Sequence, residues 1–339
     1  MDSQQFKSNP EQIKYSKDLT TDSYSNLGVD NTFCVFISLD NILYLIYSTE
    51  NKSIVFYDLT NDKKLNETQN AHNNFITNLM HYHDKVNNRD LLLTISAEDN
   101  NIKLWTINNK QWQTIQDFKN INKNGYLYST CFLCDDNENY ILTSNCNLSG
   151  SSEYVKLYDL NGNKVRDIID LKDDTLFIDT YYDKKMDKIF ILTGNNGNIK
   201  SYNYKENKIY KIYNDNDNNY GHKSIIINYK EGLAKMIESS EEGVIRIWNF
   251  HSGDLLNKIN IGNGGLYGLC SWNDEFLLVG SEDKTIKLIN LNKGTIVKNL
   301  AEHSNDVITL KKVIHPKFGE CLISQGWVYD QIKLWVSKN

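Results

Sequence analysis

The stretch Gly280 to Leu291, GSEDKTIKLINL, shows a unit that returns along the chain. Phe276, Leu277, Leu278 and Val279 form an apolar run closed by Gly280, Glu282 and Asp283 supply turn residues, and Ile286, Leu288 and Leu291 are spaced by polar residues on the way out. Apolar positions at period two over runs this short predict a strand, a tight turn and a second strand. Four strands, a to d, fit around it: Leu266 to Ser271, Glu275 to Gly280, Thr285 to Asn290 and Thr295 to Leu300.

The end of strand c gives a ruler for the rest of the chain. FYDL ends at Leu59, LWTI at Ile107, LYDL at Leu160, SYNY at Tyr204, IWNF at Phe250, LINL at Leu291 and LWV at Val336. Their third positions (58, 106, 159, 203, 249, 290 and 336) are 48, 53, 44, 46, 41 and 46 residues apart. Roughly 40 to 45 residues is the period of a four-stranded propeller blade, and no helical periodicity interrupts the series. Such a sheet has two apolar faces, so neighbouring copies must stack, and a ring leaves no face uncovered. The last copy stops after strand c, while Ile13 to Leu19 (IKYSKDL) reads as an outer strand without a blade. The prediction is therefore an all-β protein: a seven-bladed β-propeller of four-stranded antiparallel blades, closed by an N-terminal strand that completes the last blade. Residues 13–339 form one domain, and polar residues 1–12, with Pro10, form a disordered tail.

These residues resemble the WD-repeat (WD40-type) β-propeller family, which is marked by Gly-His before strand a and Trp-Asp ending strand c. The likeness covers about residues 13 to 337. Trp105, Trp248 and Trp335 match the family Trp, while Tyr57, Tyr158, Tyr202 and Ile289 replace it. Asp58 and Asp159 keep the Asp, and Asn203, Asn249 and Asn290 are close substitutes; Gly221-His222 is the intact Gly-His pair, and His72 and His303 keep the His alone. In the family, His, a b-strand Ser or Thr, the turn Asp and the Trp ring nitrogen form a structural hydrogen-bond network. The resemblance thus assigns His72, Asp99 and Trp105, then His222 and Trp248, then His303, Asp330 and Trp335, to structure and not to a catalytic triad. In blade 5, Glu242 stands at the Asp position, so bonding there should differ.

Composition narrows the function classes. A net charge of -6 with 24% charged residues describes an acidic protein without the basic face that phosphate backbones require, which argues against nucleic acid. The chain holds 46 Asn, and Arg occurs only at 89, 166 and 246, a bias expected of a eukaryotic microbe with an AT-rich genome. No signal segment or membrane-spanning apolar run is visible, so a cytoplasmic or nuclear protein with six reduced core cysteines is expected, and the sequons at Asn51, Asn66 and Asn147 are chance products.

Three patterns mimic chemistry. Cys131 and Cys134 form a CxxC with Cys146 nearby, but a spacing of three on one strand places the pair on opposite faces. His81 and His83 share a strand face with no carboxylate or third His at suitable spacing. Gly262, Gly264, Gly265 and Gly268 form a run that leads into a strand and not a helix, which leaves no helix N-terminus for an anion. No metal or cofactor is expected from any of them.

In the family, the opening on the side of the d–a loops and b–c turns is a common docking place for proteins. Two positions per blade point there by that resemblance: Tyr128, Phe177 and Tyr267 near the start of strand a, and Glu98, Glu241, Glu282 and Tyr329 just before the turn Asp. Aromatics among carboxylates suit a peptide bearing Lys or Arg. The expected role is a non-catalytic scaffold, a monomeric propeller within a larger complex. A ubiquitin-ligase substrate receptor is the alternative, although no F-box-like segment precedes the propeller, and His251 or Asn108 stands where some ligase-recruited propellers carry Arg. A phosphoinositide-binding propeller ranks lower, because the chain lacks the paired-Arg motif.

Overall fold

The computed structural model describes residues 9–20, 33–108, 111–119, 126–135, 138–146, 154–172, 175, 177–194, 197–215, 222–230, 232–327 and 330–337. These form seven four-stranded antiparallel sheets. Blade 1 runs from Phe33–Ile37 to Lys63–Thr68, blade 2 from Asn78–Asp84 to Gln111–Phe118, and blade 3 from Tyr126–Asp135 to Lys164–Lys172. Blade 4 runs from Phe177–Asp183 to Lys208–Tyr213, blade 5 from His222–Lys230 to Leu255–Asn260, and blade 6 from Leu266–Ser271 to Thr295–Leu300. The first strand of each approaches the first strand of its neighbours, and that of blade 7 reaches that of blade 1, so the ring is closed.

Blade 7 takes three strands from the end of the chain, Val307–His315, Gly319–Gly326 and Ile332–Ser337, and its outer strand, Ile13–Asp18, from the beginning. That strand runs antiparallel to Ile332–Ser337, with Ile13 opposite Ser337 and Asp18 opposite Lys333. Of the expected tail, residues 1–8 lie outside the described residues. Asn9 caps a short 3-10 turn over Pro10–Gln12, Pro10 is buried, and Lys298 Nζ donates to the carbonyls of Glu11 and Ile13 at 2.8 and 2.7 Å, so the chain is docked on the ring from Asn9 onward.

Burial falls from the inside of each blade outward. Strand b of blade 2, Arg89–Ser96, is buried at every position but the first, whereas the outer strand Lys63–Thr68 of blade 1 is exposed along most of its length. A strand covered on both faces reads as a continuous apolar run, which is why strand b carries no alternation. The core is divided among seven seams. Between blades 6 and 7, for example, Cys270, Leu278 and Leu288 pack with Leu310, Leu322 and Trp335. Five of the nine non-glycine residues with positive φ are Asn (41, 70, 88, 100 and 207), so the asparagine excess does place Asn in left-handed turns.

Candidate functional site

The d–a loops and b–c turns form one rim of the ring, and their anchoring differs from blade to blade. In blade 7, His303 Nδ1 lies 2.8 Å from Asp330 Oδ2 and its Nε2 lies 2.6 Å from Ser324 Oγ, and Trp335 Nε1 donates to the same oxygen at 2.7 Å. Asp330 Oδ2 accepts the Ser304 and Asn305 N–H groups as well. Burial raises the Asp330 pKa, but the hydrogen bonds and charge from His303 outweigh it and hold the carboxyl below its ordinary value.

Blade 2 repeats only part of this arrangement. His72 Nε2 lies 2.8 Å from Thr94 Oγ1, and Trp105 Nε1 donates to the same oxygen at 2.9 Å. Asp99 does not reach the ring; its Oδ2 accepts the Asn74 N–H at 2.7 Å, and His72 Nδ1 has no partner among the described residues. Burial, with a smaller contribution from the Lys103 charge, drives the His72 pKa down to about 3, so the imidazole is neutral.

Blade 5 carries an ionic network at the same place, with Trp248 bonded to Glu238. Gly221 and the His222 side chain lie outside the described residues. Trp248 pairs across the sheet with Met236, which puts Glu238 where Thr94 and Ser324 stand in the other two blades. The fully buried Arg246 donates through Nε to Asp215 at 2.6 Å and through Nη2 to Glu242, and Glu238 Oε1 lies 3.7 Å from its Nη1. Lys258 Nζ reaches the same Asp215 oxygen at 3.0 Å. Burial pushes the Glu238 carboxyl up to about 8 despite Arg246, because desolvating the charged form costs more than one shared cation returns. Glu242 does bond differently from an Asp, as expected. Sequence reasoning missed Asp215, Glu238 and Arg246; the one signal was an Arg on strand c in a chain nearly devoid of Arg.

The aromatics expected on the rim differ in their register. In blade 3, Leu127 pairs with Asn145 and Ser129 with Ser144, which leaves Tyr128 as an extra residue; the pairing of blade 6 skips in the same way between Leu266 and Leu269, around Tyr267. A bulge of this kind re-aims a side chain away from the alternation of its strand. Phe177 behaves otherwise: it pairs in regular register with Gly194 and packs on the core between blades 4 and 5. Tyr329 lies outside the described residues.

Two matching pairs emerge around the ring. Asn100 Oδ1 accepts the Leu127 N–H at 3.1 Å and so joins the turn carrying Glu98 to the strand carrying Tyr128. Ser239 Oγ donates to the Tyr267 carbonyl at 3.0 Å and joins the turn carrying Glu241 to the strand carrying Tyr267. The second pair is the more elaborate. Glu282 Oε2 accepts the Gly265 N–H at 2.7 Å, the Glu282 N–H donates to the Gly265 carbonyl at 2.9 Å, and the Tyr267 hydroxyl lies 2.7 Å from where a Cβ on residue 265 would stand. A side chain at 265 would therefore displace the Tyr267 ring that folds over this glycine. The Gly262–Gly264 loop lines a cavity of about 260 Å³ with Glu282, Asp283 and Lys287, and Lys287 is paired with Asp283. Asp306, next to Glu282, is raised above the ordinary carboxylate range by burial and then by the Glu282 charge.

The patterns that mimic chemistry resolve as follows. Cys131 packs between blades 3 and 4 and Cys134 between blades 2 and 3, on opposite faces of their sheet. Cys34, Cys131, Cys270 and Cys321 are buried free thiols, Cys134 is half-buried, and the Cys146 side chain lies outside the described residues. His81 and His83 do have a carboxylate, contrary to the linear spacing: Asp90, across the strand pair, lies 2.8 Å from His81 Nε2 and 3.5 Å from His83 Nδ1. Among the described residues no group of three or more His, Cys, Asp or Glu is placed to hold a metal ion, and no helix is long and apolar enough to cross a membrane.

No family model matches the chain. One stretch of 70 residues is 23% identical to the U3 small nucleolar RNA-associated protein 21 homolog of Schizosaccharomyces pombe, covering 21% of this chain and 8% of that protein. This distant likeness and the seven-bladed ring fit a WD-repeat propeller.

Proposed function

We propose that this chain is a WD-repeat propeller acting as a non-catalytic protein-interaction scaffold, whose rim of d–a loops and b–c turns receives a peptide or protein segment bearing Lys or Arg. The observation that carries the reading is a repeated link between a bulged strand start and a neighbouring b–c turn: Asn100 ties the turn of Glu98 to the strand of Tyr128, and Ser239, next to the turn of Glu241, bonds the Tyr267 carbonyl. Half-buried aromatics such as Tyr128 and Tyr267 contribute their remaining open area on binding, and carboxylates orient a cation and suppress acidic competitors. Asp306 strengthens the case in blade 6, because a carboxyl whose ionised form is disfavoured by burial and by a like charge gains most from an arriving cation. The cytoplasm or the nucleus is the expected location, and the relative whose name refers to small nucleolar RNA is compatible with the second.

The test compares affinity capture by the native chain with capture by the Tyr128→Ala/Tyr267→Ala double variant, followed by mass spectrometry. Selective loss of partners by a folded variant supports the site, and an unchanged set of partners overturns it. Recovery of ubiquitin-ligase subunits by both proteins would favour the receptor role in place of the rim site.

A further inference from the structure

The opposite face of the ring carries the a–b and c–d turns, and across three adjacent blades it is apolar. Ile314 and Phe318 of blade 7 are 68% and 46% exposed, Ile37 and Leu39 of blade 1 are 61% and 43% exposed, and Val86 of blade 2 is 58% exposed. The other exposed large hydrophobics lie mostly on outer strands, spread around the circumference. Scattered apolar residues are ordinary on a surface, whereas a contiguous set marks contact with something else.

The ground beneath this patch is locked. The Leu39 N–H donates to Asp90 Oδ2 at 2.7 Å, while Asp90 Oδ1 holds His81, on which Phe36 stacks at 3.4 Å between ring centres. Between blades 7 and 1, the buried His315 donates through Nε2 to the Leu59 carbonyl at 3.0 Å. Turns fixed in this way present their apolar tips without an ordering cost on binding.

The charges around the patch are asymmetric. Three of its carboxylates are ion-paired, Asp62 with Lys17, Asp84 with Arg89 and Glu320 with Lys312, whereas Asp40 takes only the Ser38 hydroxyl and keeps its charge. Lys85 and Lys317, each next to an apolar tip, are exposed and have no ion-pair partner among the described residues. Beside the apolar tips the available charge is therefore two cations against the single carboxylate of Asp40, a balance opposite in sign to the rim that carries Glu98, Glu241 and Glu282.

We propose that the a–b turn face of blades 7, 1 and 2 is a second docking surface, built for a protein segment that combines apolar side chains with Asp or Glu. The apolar tips supply the buried area, and Lys85 and Lys317 select the carboxylates. A planar anionic membrane fits less well, because it would press headgroups against Asp40 and against Asp135 and Glu138 of blade 3, whereas a segment need touch only the two lysines.

The test pans random dodecapeptides displayed on phage against the full chain and measures the selected peptides by fluorescence anisotropy. Selected sequences are expected to pair aliphatic or aromatic residues with Asp or Glu. Their affinity should fall roughly tenfold in Val86→Ser/Phe318→Ser and again in Lys85→Glu/Lys317→Glu, and should be unchanged in Tyr267→Ala, which reports only on the rim. Thermal melting checks that each variant is folded. Peptides insensitive to both pairs of changes overturn the surface, and sensitivity to the apolar pair alone overturns the acidic partner. Two further results also overturn the proposal: co-sedimentation with phosphatidylserine vesicles in place of peptide binding, and self-association abolished by Val86→Ser/Phe318→Ser.

Discussion

Replacing His72 with glutamine isolates the energetic consequence of an incomplete network. His72 is 2% exposed, Asp99 does not bond its ring, and burial holds its pKa at about 3 against 6.5 in the unfolded chain. Because the folded value is the lower one, the unfolded chain takes up the proton first. Stability is therefore complete above pH 6.5 and is lost as pH falls below it, down to the folded value. At about 1.36 kcal/mol per pH unit, the wild-type chain loses roughly 2 kcal/mol through this group between pH 7.5 and pH 5. The glutamine variant pays an initial cost for altered packing but lacks the titration. The assay is urea unfolding followed by tryptophan fluorescence at both pH values, with the difference between wild type and variant as the readout. That difference should shrink by about 2 kcal/mol on acidification; a difference constant to within about 0.5 kcal/mol would refute the reasoning.

Three other predictions follow from the same geometry. Ser324→Ala leaves His303 Nε2 and Trp335 Nε1 buried without their shared hydrogen-bond partner and should lower stability by about 2–4 kcal/mol, read as a fall in Tm by calorimetry. Glu238→Gln removes a carboxyl whose folded pKa, about 8, lies above its unfolded value, so the variant should gain roughly 3 kcal/mol on the wild type between pH 5 and pH 8; a pH-independent difference in urea midpoints would count against the buried carboxyl. Deleting residues 1–18 uncovers Trp335 and the edge of Ile332–Ser337, and should produce loss of the cooperative melt and aggregation; a variant that melts like the wild type would show that the ring holds without its clasp.

The architecture could be read from the chain because it is written in spacing. Seven strand-c marks and one orphan strand required a closed ring, and the pairing of Ile13–Asp18 with Ile332–Ser337 is the outcome that arithmetic demanded. What escaped the linear reading depends on pairing register and on long loops. Asp90 reaches His81 because it sits across a strand pair, nine residues away in sequence. Asp215 reaches Arg246 from the loop before blade 5, over 31 residues. The bulges at Tyr128 and Tyr267, and the regular pairing that leaves Phe177 against the core, are properties of two strands together and are invisible in either alone.

The clasp also sets an order of events in synthesis. Ile13 finds its place opposite Ser337, more than three hundred residues later in the chain. At about 5–20 residues per second, the ribosome makes the early strand tens of seconds before its partner exists. During that interval blades 1 to 6 can form in turn, each covering one face of the blade before it, while an unpaired edge strand trails from the nascent chain. The propeller is thus most exposed to mispairing until Ile332–Ser337 has been made, and slowing the codons of blade 7 should raise the aggregated fraction far more than slowing those of blade 3.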